Sequence, residues 1–183
     1  MPTTTLIPSS IAATLEQSIS LAGVVTTSGD EVRDENLSVL SDSNASTGIV
    51  YTGLSGGVLA FEVSNFIVPA GETYTITDVT VQCDLVEGTK TTLTLRGSTD
   101  PEAASLALID SVTVTSIPST TTFSSLGALS QTDLNNLRLS LASSAAEHTV
   151  SEIRIVVTYE EPIAGKISLN EGRMVIKGKI TLS

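Results

Sequence analysis

The residues from Tyr74 to Leu85 alternate between apolar and polar, but in two phases. Tyr74 and Ile76 fall in one phase, and Val79, Val81, Cys83 and Leu85 in the other. Strand side chains repeat every two residues, so the phase changes only where a residue is inserted. The pattern therefore predicts a bulge or strong bend near Thr77–Asp78. The turn Val68-Pro69-Ala70-Gly71-Glu72 precedes this strand, and Glu87-Gly88-Thr89 follows it. Lys90-Thr91-Thr92-Leu93-Thr94-Leu95-Arg96-Gly97 then alternates again, with Leu93 and Leu95 inward. The whole stretch reads as one long antiparallel hairpin, with the rest of the chain built to cover it.

Further strand signals recur at regular spacing. Val58 to Asn65 places Leu59, Phe61 and Val63 on one face. Leu106–Ile109 and Val112–Thr115 are two short pieces, broken or bent at Asp110-Ser111, and Pro118 closes them. Thr120–Ser124 centres on Phe123. Ser130-Gln131-Thr132-Asp133 before Leu134 is a capped helical turn with Asp133 at the capping-box position. Leu137, Leu139 and Leu141 alternate. Thr149–Tyr159 is the clearest strand, with Ile153, Ile155, Val157 and Tyr159 on one face. Short strands separated by turn signals, with no alternation of strands and helices, define an all-β, antiparallel, jelly-roll-like sandwich. Its expected core includes Phe61, Val79, Val81, Leu93, Leu95, Leu139, Ile153, Ile155 and Val157, each contributing ~1.5–3 kcal/mol when fully buried.

Three regions are expected. Residues 1–47 form an N-terminal arm and acidic loop, 48–161 the sandwich body, and 162–183 a basic C-terminal β-hairpin arm. In the first, Ser10 caps a short helix carrying Ile11, Leu15 and Ile19, or the segment is extended; either way it is apolar enough to pack on the body or a neighbour. Residues 30–47 read as a long loop, Gly48–Tyr51 as a short strand and Gly53–Gly57 as a turn. The last segment pairs Lys166–Leu169 with Met174–Ile176 around Asn170-Glu171-Gly172. A hairpin beyond the body is marginal alone, which points to docking on a partner sheet.

Charge supports that division. The net charge is −11. Residues 1–161 hold a balance of −14, and residues 162–183 one of +3, from Lys166, Arg173, Lys177 and Lys179 against Glu171. Such an acidic body repels nucleic acid and anionic membrane, so neither is an expected partner. The candidate partner-binding residues are Lys166, Arg173, Lys177 and Lys179 in the tail, with Ile11 and Leu15 in the N-terminal arm. The single cysteine, Cys83, excludes an internal disulfide. The first cation is Arg33, so no basic signal-peptide region is expected.

Residues that could carry chemistry are few. The one histidine, His148, is expected on the surface at a turn edge, and no Gly-x-Ser-x-Gly nucleophile elbow occurs. Cys83 lies in the inward phase as a small hydrophobe. Asp30, Glu31, Asp34, Glu35 and Asp42 could offer oxygens to calcium, as could Asp42, Asn44 and Asp84, but without EF-hand spacing they read as solvated loop. Glu160 and Glu161 point to opposite faces and do not share a substrate. With Phe61, Phe123 and Tyr159 assigned to the core, Tyr51, Tyr74 and Phe66 remain for stacking on a sugar. No enzyme activity, cofactor or metal is expected.

Several stretches carry a family resemblance across roughly Leu40 to Glu160. Ser41-Asp42-Ser43-Asn44-Ala45-Ser46, Phe61-Glu62-Val63, the Val68–Glu72 turn, Thr132–Leu139 and Val150–Glu160 resemble a jelly-roll-like domain of tailed-bacteriophage virion proteins. Gly165-Lys166-Ile167-Ser168-Leu169 is similar to virion-protein tails. The resemblance implies a non-enzymatic virion component located in the particle. A capsid decoration (cement) protein fits best, with a neck or tail accessory protein as alternative. Its implied partners are copies of itself, such as a trimer, and the major capsid protein or other virion proteins. A carbohydrate-binding host-adhesion module is the competing reading.

Overall fold

The computed structural model describes residues 1–11, 19–22, 34–52, 58–68, 72–101, 103, 105–144, 147–162, 166–170 and 173–177. Thirteen strands occur among them. They are β1 Thr3–Leu6, β2 Pro8–Ile11, β3 Ile19–Ala22, β4 Gly48–Thr52, β5 Val58–Val63, β6 Thr75–Gly88 and β7 Thr91–Ser98. They continue as β8 Ala107–Val114, β9 Ser119–Thr122, β10 Arg138–Ser143, β11 Glu147–Glu160, β12 Lys166–Asn170 and β13 Arg173–Lys177. One short helix, α1 Gln131–Asn135, and a 3-10 helical segment, Asp34–Leu40, complete the described elements. Among the described residues no helix is long and apolar enough to cross a membrane.

The fold is an antiparallel β-sandwich. One sheet runs β3-β4-β11-β6-β9, with β1 also pairing β11; the other runs β2-β5-β10-β7-β8. All nine expected core residues are buried between them, none more than 1% exposed. Phe123, Leu37, Leu40 and Leu134 join that core. Cys83 is buried there as well, and burial pushes its thiol pKa up.

The expected long hairpin is not formed. β6 pairs β11 and β9, whereas β7 pairs β10 and β8, so its two arms lie in opposite sheets. Only Thr89 and Lys90 separate them. From Gly88 to Thr91 there are three Cα steps of ~3.8 Å, just enough for the ~10 Å between packed sheets. Gly88 sits at φ 123°, a conformation open chiefly to glycine. Val79, Val81, Cys83 and Leu85 of one arm and Leu93 and Leu95 of the other still point inward, because the two arms face one core from opposite sides.

The phase slip is where the alternation requires it. Thr158 pairs Asp78 and Tyr159 pairs Ile76, leaving Thr77 as the extra residue. The Thr77 hydroxyl donates to the Thr158 carbonyl at 3.1 Å. Another bulge interrupts β8: Leu95 pairs Asp110 and Arg96 pairs Leu108, leaving out Ile109. Of the two expected forms, a break or a bend, β8 takes the bend and runs as one strand.

Among the described residues of the first 47, β1 pairs β11, β2 pairs β5 and β3 pairs β4, so strands from this segment join both sheets of the sandwich. The sequence alternative of a helix from Ser10 gives way to strand at Pro8–Ile11, where the backbone can pair with β5. The expected loop 30–47 contains the 3-10 segment, because Leu37 and Leu40, three residues apart, fall on one side of such a helix and are buried. It packs against β2, β4 and β11. The turn expected at Gly53–Gly57 lies outside the described residues.

β12 and β13 pair with each other, Lys166 opposite Lys177 and Ile167 opposite Ile176, in a sheet of two strands.

Candidate functional site

Phe66, Tyr74 and Tyr159 meet at one end of the sandwich. Their ring centroids lie 6.5 Å apart for Phe66–Tyr74, 5.5 Å for Phe66–Tyr159 and 5.3 Å for Tyr74–Tyr159. The ring planes are inclined at 87°, 62° and 70°, the edge-to-face arrangement that aromatic quadrupoles favour. With Thr4, Leu6, Asn65 and Ile67 they line a cleft of about 260 Å³. The chain has three Phe and three Tyr, so half its aromatics gather here.

Each ring arrives by a separate device. Tyr159 is the last inward residue of β11, where the sandwich opens, so it is half-buried rather than enclosed in the core as expected. Tyr74 shares the phase of Ile76, and the bulge at Thr77 turns that phase toward the Tyr159 side. Without the extra residue, Tyr74 would lie on the opposite face. Phe66 follows β5 and is held by α1: its N–H donates to Asn135 Oδ1 at 2.8 Å, and its carbonyl accepts from Gln131 Nε2 at 3.1 Å. The helix start is fixed by the expected capping box between Ser130 and Asp133. Phe66 is consequently 5% exposed, more enclosed than the sequence implied, and Ile67 beside it is 84% exposed.

The polar side chains lining this cleft, Thr4, Asn65, Tyr74 and Tyr159, are uncharged, and a carboxylate adjoins them. The Tyr74 hydroxyl donates to Glu72 Oε2 at 2.6 Å. That hydrogen bond, then lost solvation, then the charges of Glu72 and Glu161 push the phenol up to about 12. None of the described lining residues carries a base.

A second, more polar cleft of about 420 Å³ lies between the Ser43–Ala45 loop and the face of β6, β9 and β11. It brings Asn44 and Asp84 together, two of the three oxygens grouped in the sequence for a cation. Asp42 is committed elsewhere: its carboxylate accepts from the Asn44 N–H at 2.9 Å and the Thr47 hydroxyl at 2.6 Å. Arg154 donates to Asp84 Oδ2 and to Glu152 Oε2, both at 2.7 Å, so one guanidinium faces both carboxylates. Among the described residues no group of three His, Cys, Asp or Glu is placed to hold a metal. Asp30 and Glu31 lie outside the described residues, and Asp34 and Glu35 fall in the 3-10 segment.

His148 is not a surface residue. It is 1% exposed, with Nδ1 3.1 Å from the Ser143 hydroxyl, and burial lowers its pKa to about 4. Its position opposite Tyr51 and Gly88 within the sheet, which no local sequence signal reveals, encloses it. Of the candidate docking residues, Lys166, Arg173 and Lys177 lie in the self-paired hairpin and Ile11 ends β2 opposite Phe61. Leu15 and Lys179 lie outside the described residues.

No protein-family model matches the chain, and no curated protein does. Two solved structures resemble it. One is a truncated AlyQ with CBM32 and alginate lyase domains, at 19% identity and TM-score 0.43, covering 83% of this chain and 37% of that one. The other is the CBM32 of AlyQ in complex with 4,5-unsaturated mannuronic acid, at 18% identity and TM-score 0.41, covering 81% and 97%. Similarity at this level carries no argument about the ligand of this chain. The class defined by fold and clefts is an antiparallel β-sandwich with an aromatic cleft at one end.

Proposed function

We propose that this chain is a non-enzymatic carbohydrate-binding β-sandwich whose ligand lies in the cleft of Phe66, Tyr74 and Tyr159. The observation that carries this reading is the gathering of half the aromatics of an aromatic-poor chain at one solvent-reached cleft. Sugar rings present C–H faces that pack on aromatic surface and hydroxyls that need hydrogen-bond partners. Glu72, Asn65 and Thr4 supply such partners beside the rings. The test is titration of neutral and charged oligosaccharides followed by NMR shifts or calorimetry. Tyr74→Ala and Tyr159→Ala should each weaken binding roughly tenfold, equivalent to ~1.4 kcal/mol, while circular dichroism stays native. Unchanged affinity in both variants would remove the site.

A second reading, a structural component of a phage particle such as a capsid decoration protein, is favoured by a different observation. Among the described residues β12 and β13 pair only with each other, and residues 162–183 carry +3 against −14 over residues 1–161. Such a hairpin gains stability by docking on an acidic sheet. In this reading the full chain is an oligomer in solution, and deleting 163–183 gives a folded monomer that no longer attaches to particles. Attachment that survives the deletion counts against the arm.

A further inference from the structure

We propose that the aromatic cleft selects sugars bearing a free amine over neutral and acidic sugars. This rests on the carbohydrate reading and narrows it to one ligand chemistry. Three observations carry it. Tyr74 and Tyr159 are half-buried and form an aromatic wall backed by the buried Phe66, with the rings steeply inclined to one another; aromatic faces attract an ammonium group. A carboxylate, Glu72, is fixed to the wall through the Tyr74 hydroxyl at 2.6 Å. Among the described residues that line the cleft there is no Lys, Arg or His to receive an anion.

The charge balance acts the same way at longer range. Glu161, two residues beyond Tyr159, lies near enough to raise the Tyr74 phenol together with Glu72. Residues 1–161 together carry −14. An ammonium entering this field meets two carboxylates and the negative faces of the rings. A uronate entering it must shed water beside like charge with no cation to compensate. An N-acetyl group in place of the amine keeps the sugar's shape but forfeits the charge.

The experiment compares three oligosaccharides of equal length by calorimetry: glucosamine oligomers, their N-acetylated counterparts and uronic acid oligomers. Glucosamine oligomers should bind about tenfold tighter than the N-acetylated ones, with uronic oligomers weakest. The preference should shrink as salt rises from low ionic strength to ~1 M, where the Debye length falls to ~3 Å. Glu72→Gln, at an exposed position, should bring the ratio of amine to acetyl affinity toward one. Equal binding of the first two, tightest binding of the uronate, or a ratio unmoved by Glu72→Gln overturns the proposal and leaves the carbohydrate reading standing. Failure of all three to bind overturns both.

Discussion

Asp110 on β8 accepts the backbone N–H of Ser124 at 2.6 Å and its hydroxyl at 2.8 Å through one carboxylate oxygen. β8 is the edge strand of one sheet, and Ser124 follows β9, the edge of the other. One side chain therefore joins both sheets along an open side of the sandwich. The other carboxylate oxygen accepts from Ser111 N–H at 2.7 Å. These donors hold the Asp110 pKa below its ordinary value, the Ser124 backbone contributing most.

The sign of the pH effect follows. A carboxyl with a depressed folded pKa stabilises the fold above its unfolded pKa, and that stabilisation is lost as pH falls through the folded value. Asp110→Ala should lower stability near neutral pH by ~1 kcal/mol, the partly exposed site keeping the loss at the low end for charged hydrogen bonds. Urea unfolding at pH 7 and pH 3 checks this: the difference from the native chain should narrow at the lower pH.

His148 produces an earlier acid transition. Burial lowers its pKa from 6.5 to about 4, so the unfolded chain binds the extra proton across that window. Stability should fall as pH drops from about 6.5 toward 4 and then level off with respect to this group, by at most roughly 3 kcal/mol. Urea midpoints measured across pH 7.5 to 4 should show this slope. His148→Gln should flatten it, whatever its cost at neutral pH.

Gly97 lies beneath the bulge of β8. A Cβ there would stand 2.7 Å from Ile109 Cδ1, 2.9 Å from Leu139 Cδ2 and 3.2 Å from the Arg138 carbonyl. Gly97→Ala should destabilise by ~1–3 kcal/mol through overpacking. Adding Ile109→Val removes the Cδ1 and should recover part of the loss, so the two changes are not additive. Thermal melts of both single variants and the double variant decide it.

Arg154 separates two carboxylates on one sheet face. Removing it in Arg154→Met leaves Asp84 and Glu152, cross-strand partners, facing each other without a cation. The pair sites are only partly screened from solvent, so the loss should be modest, ~1 kcal/mol. Glu152→Gln in the Arg154→Met background should recover stability at low salt, measurable by urea unfolding.

How much of this was legible varies by residue. Thr77 as the bulge, the Ser130–Asp133 cap and the inward set from Phe61 to Val157 all follow from local spacing. The enclosure of His148 and the span of β8 do not, because each depends on a neighbouring strand distant in sequence. For the site, Tyr74 stands out in the sequence as an aromatic outside the core; Phe66 reads the same way, but α1 covers it and it is buried. Tyr159 does not stand out, although its place just before Glu160-Glu161-Pro162 marks the end of a strand, where an inward residue emerges.

Alternation states which face of a strand is apolar, and here that alone determined a two-sheet sandwich and the break in phase at Thr77. It does not state which strand lies alongside. The tertiary structure decided that β6 and β7 cross between sheets instead of pairing, and that β6 instead lies along β11. The physical reason is that backbone hydrogen bonds are the same whichever strand supplies them, so partners are chosen by how the whole core closes. That choice brings Tyr159 against Tyr74 and Phe66, and with them the cleft.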